Sequence, residues 1–220
     1  MTDLKLVESS DVLHWQDRWL TLPGGPADDA PAPDGPPWAW IATNHRCNAR
    51  LWAQEDLARR QQAPDAEIVA NKRAIDGFNQ ARNDAIERID EALLMALGWL
   101  ETRAGELVQR PAPAGARLNS ETPGSMIDRL SILALKQHAM AAQAERQDVD
   151  EGHRETSRSR LARLTEQRAD LAACLDDLVR DARAGRAWFK VYRQFKMYND
   201  PRFNPALVAE QKRSAGRPSD

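Results

Sequence analysis

The chain has 220 residues, of which 31 are Lys or Arg and 33 are Asp or Glu, so its formal net charge at pH 7 is −2. A nearly neutral chain gives no electrostatic reason to bind nucleic acid or an anionic membrane, and neither is expected as a partner. The composition, with 29% charged and 6% aromatic residues, favours one helical core, and strands are not expected.

The two ends and the cysteines bear on where the protein acts. Residues 1–5 contain no apolar segment of the kind found in signal peptides, and the longest apolar run, residues 93–100, is too short to cross a bilayer. A cytoplasmic protein without a membrane span is therefore expected. Cys47 and Cys174 lack the spacing of a metal site or a redox motif and are expected to be reduced thiols.

The N-terminal region is predicted to be a helical arm. A first helix over residues 11–20 would have Ser10 as its N-cap and would place Trp15 and Trp19 on its apolar face. Residues 22–37 include six prolines and three glycines and predict an extended arm. We assign residues 1–37 to this region, 38–205 to a helical bundle domain and 206–220 to a polar tail.

Four long helices are predicted in the bundle domain. They cover residues 38–60, 65–103, 123–147 and 154–184, with breaks where Pro, Gly and capping residues occur. The expected fold is all-α, an up-and-down bundle of four long helices, with the N-terminal helical arm and a C-terminal basic aromatic segment.

The start of the fourth helix is the most informative part of the sequence. Thr122 is a good N-cap, and Pro123 occupies the first helical position. Gly124 and Ser125 follow, and glycine there either leaves backbone N–H groups accessible to phosphate or allows close packing. Both interpretations stay open.

Arginines and an aspartate fall within apolar helical stripes. Arg82 and Arg168 each lie in the middle of such a stripe, and Arg129 follows Asp128 in a helix that is apolar nearly all round. A buried charge without a partner is costly, so we predict that Arg82 and Arg129 are mostly buried near carboxylates from other helices. The charged interior either fixes helix register or forms a cavity in which arginines hold an anionic ligand.

Candidate residues follow from the cavity interpretation. Catalysis would use the carboxylates Glu55, Asp56, Asp76 and Asp128, with His138 as a general base, although an ordinary boundary histidine is the favoured interpretation of His138. Basic residues alternate with aromatics over 186–200, and docking of these aromatics on the bundle is favoured over the stacking of bases on them. We also predict that the start of the fourth helix and Lys190, Arg193 and Lys196 border one anion pocket. The ligand-binding candidates are Arg59, Lys72, Asn79, Arg82, Asn119, Glu121, Thr122, Gly124, Ser125, Arg129, Arg168, Lys190, Arg193 and Lys196.

A magnesium site is a further hypothesis. Glu55 could face Glu87 and Asp90 across two helices, and hard cations prefer such oxygen ligands. The pattern is similar to all-helical nucleotide pyrophosphohydrolases, whose second E-x-x-D element is matched by Glu87 and Asp90. The first element departs from that family, because Glu55 and Asp56 are adjacent and diverge around a helix. A solvated or salt-bridged face is the favoured alternative.

Five sequence blocks resemble the bacterial domain-of-unknown-function 4254 family. The blocks are 51–56 with Arg59, 72–84 with Glu87, 119–123 with 127–136, 166–170, and 190–200. The resemblance covers roughly residues 38–205 and implies a gene neighbourhood of lipopolysaccharide and other surface-glycan genes. It carries no biochemical role for any residue.

Two functions are therefore weighed. The first is an accessory enzyme or ligand-binding protein of surface-glycan synthesis that recognises a phosphorylated sugar or nucleotide sugar. The alternative is a non-catalytic helical scaffold that docks on a glycosyltransferase. An open pocket where arginines and carboxylates converge would favour the first, and sealed salt bridges with an exposed apolar patch would favour the second. Catalysis and a homodimer both remain open.

Overall fold

A computed structural model describes residues 6–22, 31–195, 197 and 200–215. The protein is mostly helical, as predicted, and none of the helices in the described ranges is long and apolar enough to cross a membrane. The elements in chain order are α1 Ser9–Leu20, α2 Trp38–Ala58, α3 Asp65–Ala96, β1 Leu100–Arg103, β2 Glu106–Gln109, β3 Arg117–Leu118, α4 Pro123–Ala144, α5 Glu151–Arg183, β4 Ala187–Trp188 and α6 Pro205–Ala215.

Helix α4 is the centre of the fold. It contacts α1, α2, α3 and α5, while α2 packs along α3 and α4 packs along α5. Ile127 and Leu130 are fully buried, as expected for a helix with neighbours on nearly every side. Because α4 touches all four of these helices, the polar groups along it decide where the protein can form a site.

The expectation of no strands is wrong. Helix α3 ends at Ala96 rather than near residue 103, because Gly98 adopts a left-handed backbone with φ +72°. The chain then turns back as an antiparallel hairpin, in which Leu100 of β1 pairs with Gln109 of β2. Positive φ angles at Ala104 and Gly105 suit the tight turn between them. A second short pair, β3 and β4, is parallel.

Helix ends also differ from the predicted ones. Ser10 is not an N-cap, since α1 begins at Ser9, whose backbone N–H and Oγ both donate to Asp176 of α5, at 2.9 and 2.7 Å. Helix α5 begins at Glu151, earlier than predicted, because the Asp150 carboxylate caps it by accepting from the His153 N–H at 2.7 Å. The predicted polar tail contains α6.

Helix α1 is held against α4 and α5 by a buried arginine. Arg168 is 5% exposed and its Nη1 donates to Asp17 Oδ1 at 2.6 Å and to Gln137 Oε1 at 2.9 Å. Its Nη2 donates to Gln16 Oε1 at 3.1 Å. The inward position predicted for Arg168 is confirmed, and its partners come from α1 and α4. The same contacts commit these donors to the protein, so Arg168 binds helices rather than a ligand.

Candidate functional site

A buried polar cluster lies between α2 and α4. The Asp128 Oδ1 atom accepts hydrogen bonds from the side-chain amides of Asn44 and Asn48, at 2.8 and 2.9 Å. Asn48 also donates to Ser131 Oγ at 3.0 Å, and Ser131 Oγ lies 2.7 Å from His45 Nδ1. These five side chains are all buried, so each hydrogen bond also offsets a desolvation cost.

His45 forms the inner end of this cluster. Its pKa is lowered from 6.5 to about 3, first by burial and then by the nearby charges of Arg168 and Arg46, while a hydrogen bond to the Gln16 backbone acts in the opposite direction. The imidazole is therefore neutral at ordinary pH. The rings of Trp15 and Trp19 meet it edge-on at centroid distances of 5.7 and 4.9 Å. A fully buried, neutral histidine under two tryptophans has no path to a ligand.

Arg82 forms the outer end of the cluster. Its Nε lies 3.9 Å from Asp128 Oδ1, so the predicted pairing with a carboxylate from another helix is confirmed. That distance is too long for a hydrogen bond, and the buried Nε has no hydrogen-bond partner among the described residues. The side chain is 26% exposed. Arg82 thus reaches from the buried cluster towards solvent, and its guanidinium is not fully hydrogen-bonded within the described residues.

Arg82 opens into a cleft between α2, α3 and α4. The cleft has a volume of about 330 Å³. It brings together five predicted site residues from two separate sequence blocks, and Asp128 lies behind its floor. Asn48 and Trp52 were not predicted as site residues, although their spacing along α2 with Glu55 and Arg59 places all four on one helix face. The lining residues are Asn48, Leu51, Trp52, Glu55, Asp56, Arg59, Asn79, Arg82, Ile132 and Leu135.

The start of α4 is closed, which decides for close packing between the two interpretations that the sequence left open. The Gly124 N–H donates to the buried Asp90 Oδ1 at 2.7 Å, and Thr122 Oγ1 accepts from the Ser125 N–H at 3.2 Å. A Cβ added to Gly124 would lie 2.6 Å from the backbone oxygen of Ile86. Close packing therefore explains the glycine, and the two N–H groups expected to bind phosphate are already engaged.

The basic segment does not complete an anion pocket at this helix start. Lys190 Nζ lies 4.9 Å from the centroid of the Trp188 ring, and Arg193 pairs with Glu87 and Glu91 of α3. Lys196 lies outside the described residues. The Arg193 ion pairs hold this segment on α3, and of its aromatic side chains Phe189 is fully buried while Phe195 is exposed.

The three proposed magnesium ligands do not meet. Glu55 pairs with Arg59 at 3.4 Å in the cleft, and Glu87 pairs with Arg193 at 3.1 Å. Asp90 accepts a hydrogen bond from the Gly124 N–H, and burial raises the pKa of this carboxyl to about 7. The ranges that the structure describes contain no group of three or more carboxylate, histidine or cysteine side chains arranged to hold a metal ion.

The prediction that Arg129 is mostly buried is wrong. Its side chain is 57% exposed and pairs with Glu121 of the preceding loop at 2.5 Å, rather than with another helix. Both residues line a groove of about 960 Å³ between α4 and α5, together with Asn119 and the exposed Cys174. The groove meets the cleft at Ile132, which lines both.

The remaining candidates lie outside the cleft. Lys72 and Asp76 form an exposed ion pair along α3, and Asp76 is not part of the cleft lining. His138 is exposed on α4 and does not line the cleft either. Of the predicted catalytic residues, only Glu55 and Asp56 border the cleft directly.

Comparison with known proteins identifies one family. The family model described as a protein of unknown function, DUF4254, matches residues 38–191. No curated protein and no solved structure matches the chain. The matched range includes all of the residues that line the cleft.

Proposed function

The chain belongs to DUF4254, a family of proteins of unknown function. On the basis of the residues that line the α2–α3–α4 cleft, we propose that the protein binds a phosphorylated sugar there. In the proposed role it is a cytoplasmic ligand-binding protein or accessory enzyme of surface-glycan synthesis. That biological setting rests on the resemblance of the five sequence blocks. We further propose that α2, α3, α4 and α5 work as one up-and-down bundle that positions the cleft.

The Nε of Arg82, which has no hydrogen-bond partner among the described residues, is the observation that supports an anionic ligand. Asp128 Oδ1 already accepts hydrogen bonds from Asn44 and Asn48, and this commitment holds the carboxylate 3.9 Å from the arginine Nε. A guanidinium that is partly desolvated and unsatisfied gains strongly from an incoming anion. Its planar fork matches two oxygens of a phosphoryl group, which a lysine could not do.

Other cleft residues suit the sugar part of the ligand. Glu55 and Asp56 can accept hydrogen bonds from sugar hydroxyls, and the amides of Asn48 and Asn79 can both donate and accept. Trp52 adds an apolar ring against which sugar C–H groups can pack. A volume of about 330 Å³ is near the lower limit of ligand pockets and favours a sugar phosphate over a larger nucleotide sugar.

In an enzymatic form of this role, Glu55 and Asp56 are the acid–base candidates. They border the cleft and are exposed, so a ligand can reach them. Asp128 is engaged by the two asparagines, and this favours a positioning role in which it holds Arg82 in place.

Ligand titration tests the binding role. Calorimetry and thermal shift would use glucose 1-phosphate, UDP-glucose and inorganic phosphate, each with and without Mg²⁺. We expect glucose 1-phosphate to bind and to raise the melting temperature. Arg82→Met should weaken binding at least tenfold, while the exposed control Arg73→Met leaves it unchanged. Equal binding by both variants, or no binding at millimolar concentration, would contradict the role.

A scaffold function is the second candidate, and the exposed C-terminal aromatics favour it. Phe195 is 90% exposed, and Tyr192 and Phe203 are both more than half exposed. Such side chains are frequent anchors of protein interfaces. If the protein docks on a glycosyltransferase, Phe195→Ser should abolish co-purification with that enzyme and leave sugar phosphate binding intact. Retained co-purification would count against the scaffold.

A further inference from the structure

An apolar slot with three cations in its wall lies beside the cleft. It lies between α2, α4 and α5, has a volume of about 410 Å³ and is separate from the sugar-phosphate cleft. Its apolar lining consists of Trp52, Ala139, Met140 and Leu164. Trp52 also lines the cleft, so the two sites share one wall.

The cations are Lys136, Arg160 and Arg163, which complete the slot wall together with Gln167. Most arginines of the described chain form ion pairs, including Arg154 and Arg158 one turn earlier on α5. None of the three slot cations forms an ion pair or a side-chain hydrogen bond with another residue in the described ranges. Lysine and arginine can line an apolar slot with their aliphatic stems and keep their charged ends near solvent.

We propose that this slot binds the hydrocarbon chain of a single-chain amphipathic anion, such as an alkyl or isoprenoid phosphate. The chain lies against Trp52, Met140 and Leu164, and the phosphoryl group is held by the cationic side chains at the edge. Apart from the three cations and Gln167, the lining is apolar, so it fits a hydrocarbon better than the edge of a nucleobase, which needs several hydrogen-bond partners. Because the slot adjoins the cleft, the protein would bring a lipid phosphate and a sugar phosphate together. This pairing of ligands rests on the proposed function.

Chain length provides the first test. Ethyl, hexyl and decyl phosphate would be titrated below their micelle concentrations by calorimetry. Each methylene that enters the slot should tighten binding about two- to fourfold, since burial removes it from water. Decyl phosphate should therefore bind at least tenfold more tightly than ethyl phosphate. Equal affinities, or tighter binding of adenosine monophosphate than of decyl phosphate, would overturn the assignment.

Matched variants locate the binding. Ala139→Phe fills the slot and should abolish decyl phosphate binding, whereas Ala162→Phe, at an exposed position of α5 outside the slot, should not. Replacing both Arg160 and Arg163 by Gln should weaken decyl phosphate at least tenfold and leave decanol unchanged, with Arg73→Gln as control. Circular dichroism would verify folding of each variant.

Three further outcomes distinguish a ligand slot from the sugar-phosphate cleft, a membrane surface and a dimer interface. Arg82→Met should leave decyl phosphate binding intact while it weakens sugar phosphate binding. The proposals for the slot and for the cleft can therefore be contradicted independently. Binding that appears only with micelles or anionic vesicles would place the interaction at a membrane surface and overturn the slot. Sedimentation of Ala139→Phe that shows loss of a dimer, without any change in decyl phosphate binding, would make the slot an interface between copies and would also overturn it.

Discussion

The polar groups along α4 lie in two contrasting environments. At Gly124 and Ser131 they are closed, because the Gly124 N–H donates to Asp90 and the Ser131 hydroxyl is hydrogen-bonded to His45 Nδ1 inside the core. At Asp128 the surroundings open towards the cleft, and Arg82 keeps an Nε that no described residue satisfies. The contrast teaches that burial alone does not mark a site. A polar group that is engaged inside the core holds helices together, and one that both lacks a partner and reaches a cleft can bind something else. The Nε of Arg168 also lacks a partner among the described residues, but that side chain is 5% exposed and packed between helices.

Among the closed positions, replacement of Gly124 should lower the free energy of unfolding the most. In Gly124→Ala the new Cβ would meet the Ile86 carbonyl oxygen at 2.6 Å and the Asp90 carboxylate at 2.9 Å. We expect a loss of about 2–3 kcal/mol in the free energy of unfolding, by overpacking. The matched control is Gly77→Ala on α3, where nothing lies within 4 Å of the new Cβ. That control should stabilise the protein by about 0.5–1 kcal/mol. Urea denaturation measures both, and equal effects would show that the start of α4 is not closed.

Removing the Ser131 hydroxyl should have the next largest effect. Ser131→Ala leaves His45 Nδ1 and one Asn48 amide hydrogen without their partner in the core. The expected loss is about 1–3 kcal/mol, the cost of unsatisfied buried polar groups. Sugar phosphate binding per folded molecule should be unchanged. A variant that is fully stable but no longer binds would reverse the division into closed and open positions.

The pH dependence of stability tests the closed positions through their two buried titratable groups, Asp90 and His45. Burial raises the pKa of Asp90 from 3.8 to about 7, so between these values the native state holds more protons than the unfolded state. Stability from this group is therefore lost as pH rises from about 4 to 7. His45 acts oppositely, because its pKa is lowered from 6.5 to about 3 and its contribution is lost as pH falls through that range.

One variant separates the titration of Asp90 from that of His45. Asp90→Asn keeps an oxygen for the Gly124 N–H and removes the charge, so relative to the unmodified protein it should be more stable at pH 7 than at pH 5, by about 1–2 kcal/mol. Urea midpoints of both proteins across this pH range provide the measurement. A constant difference across the range would show that Asp90 does not titrate there.

Arg82→Met should have the smallest effect on stability. Its one ion pair is long, and methionine can fill the same partly buried space, so a change below about 1 kcal/mol in the free energy of unfolding is expected. A loss above about 2 kcal/mol by chemical denaturation would place Arg82 with the closed positions and weaken the case for a ligand.

Sequence periodicity predicted the helices and the position of Arg82, because one apolar stripe on α3 defines which side faces inward. It failed for Arg129, because α4 is apolar nearly all round and has neighbours on several sides, so no stripe sets the direction of one residue. The closed start of α4 was also beyond prediction. Thr122 to Ser125 suit either an anion site or close packing, and the outcome depends on Asp90, 34 residues away in sequence.

The docking of α1 bears on how much of the chain folds on its own. The family match begins at residue 38, after α1, yet α1 supplies Asp17 and Gln16 to Arg168 and two tryptophans to His45. A polypeptide that started at residue 38 would retain the whole cleft lining but would leave a buried guanidinium without its carboxylate. The boundary of the recognisable family region is therefore not the boundary of the autonomous folding unit, which reaches back at least to the buried core residue Val7.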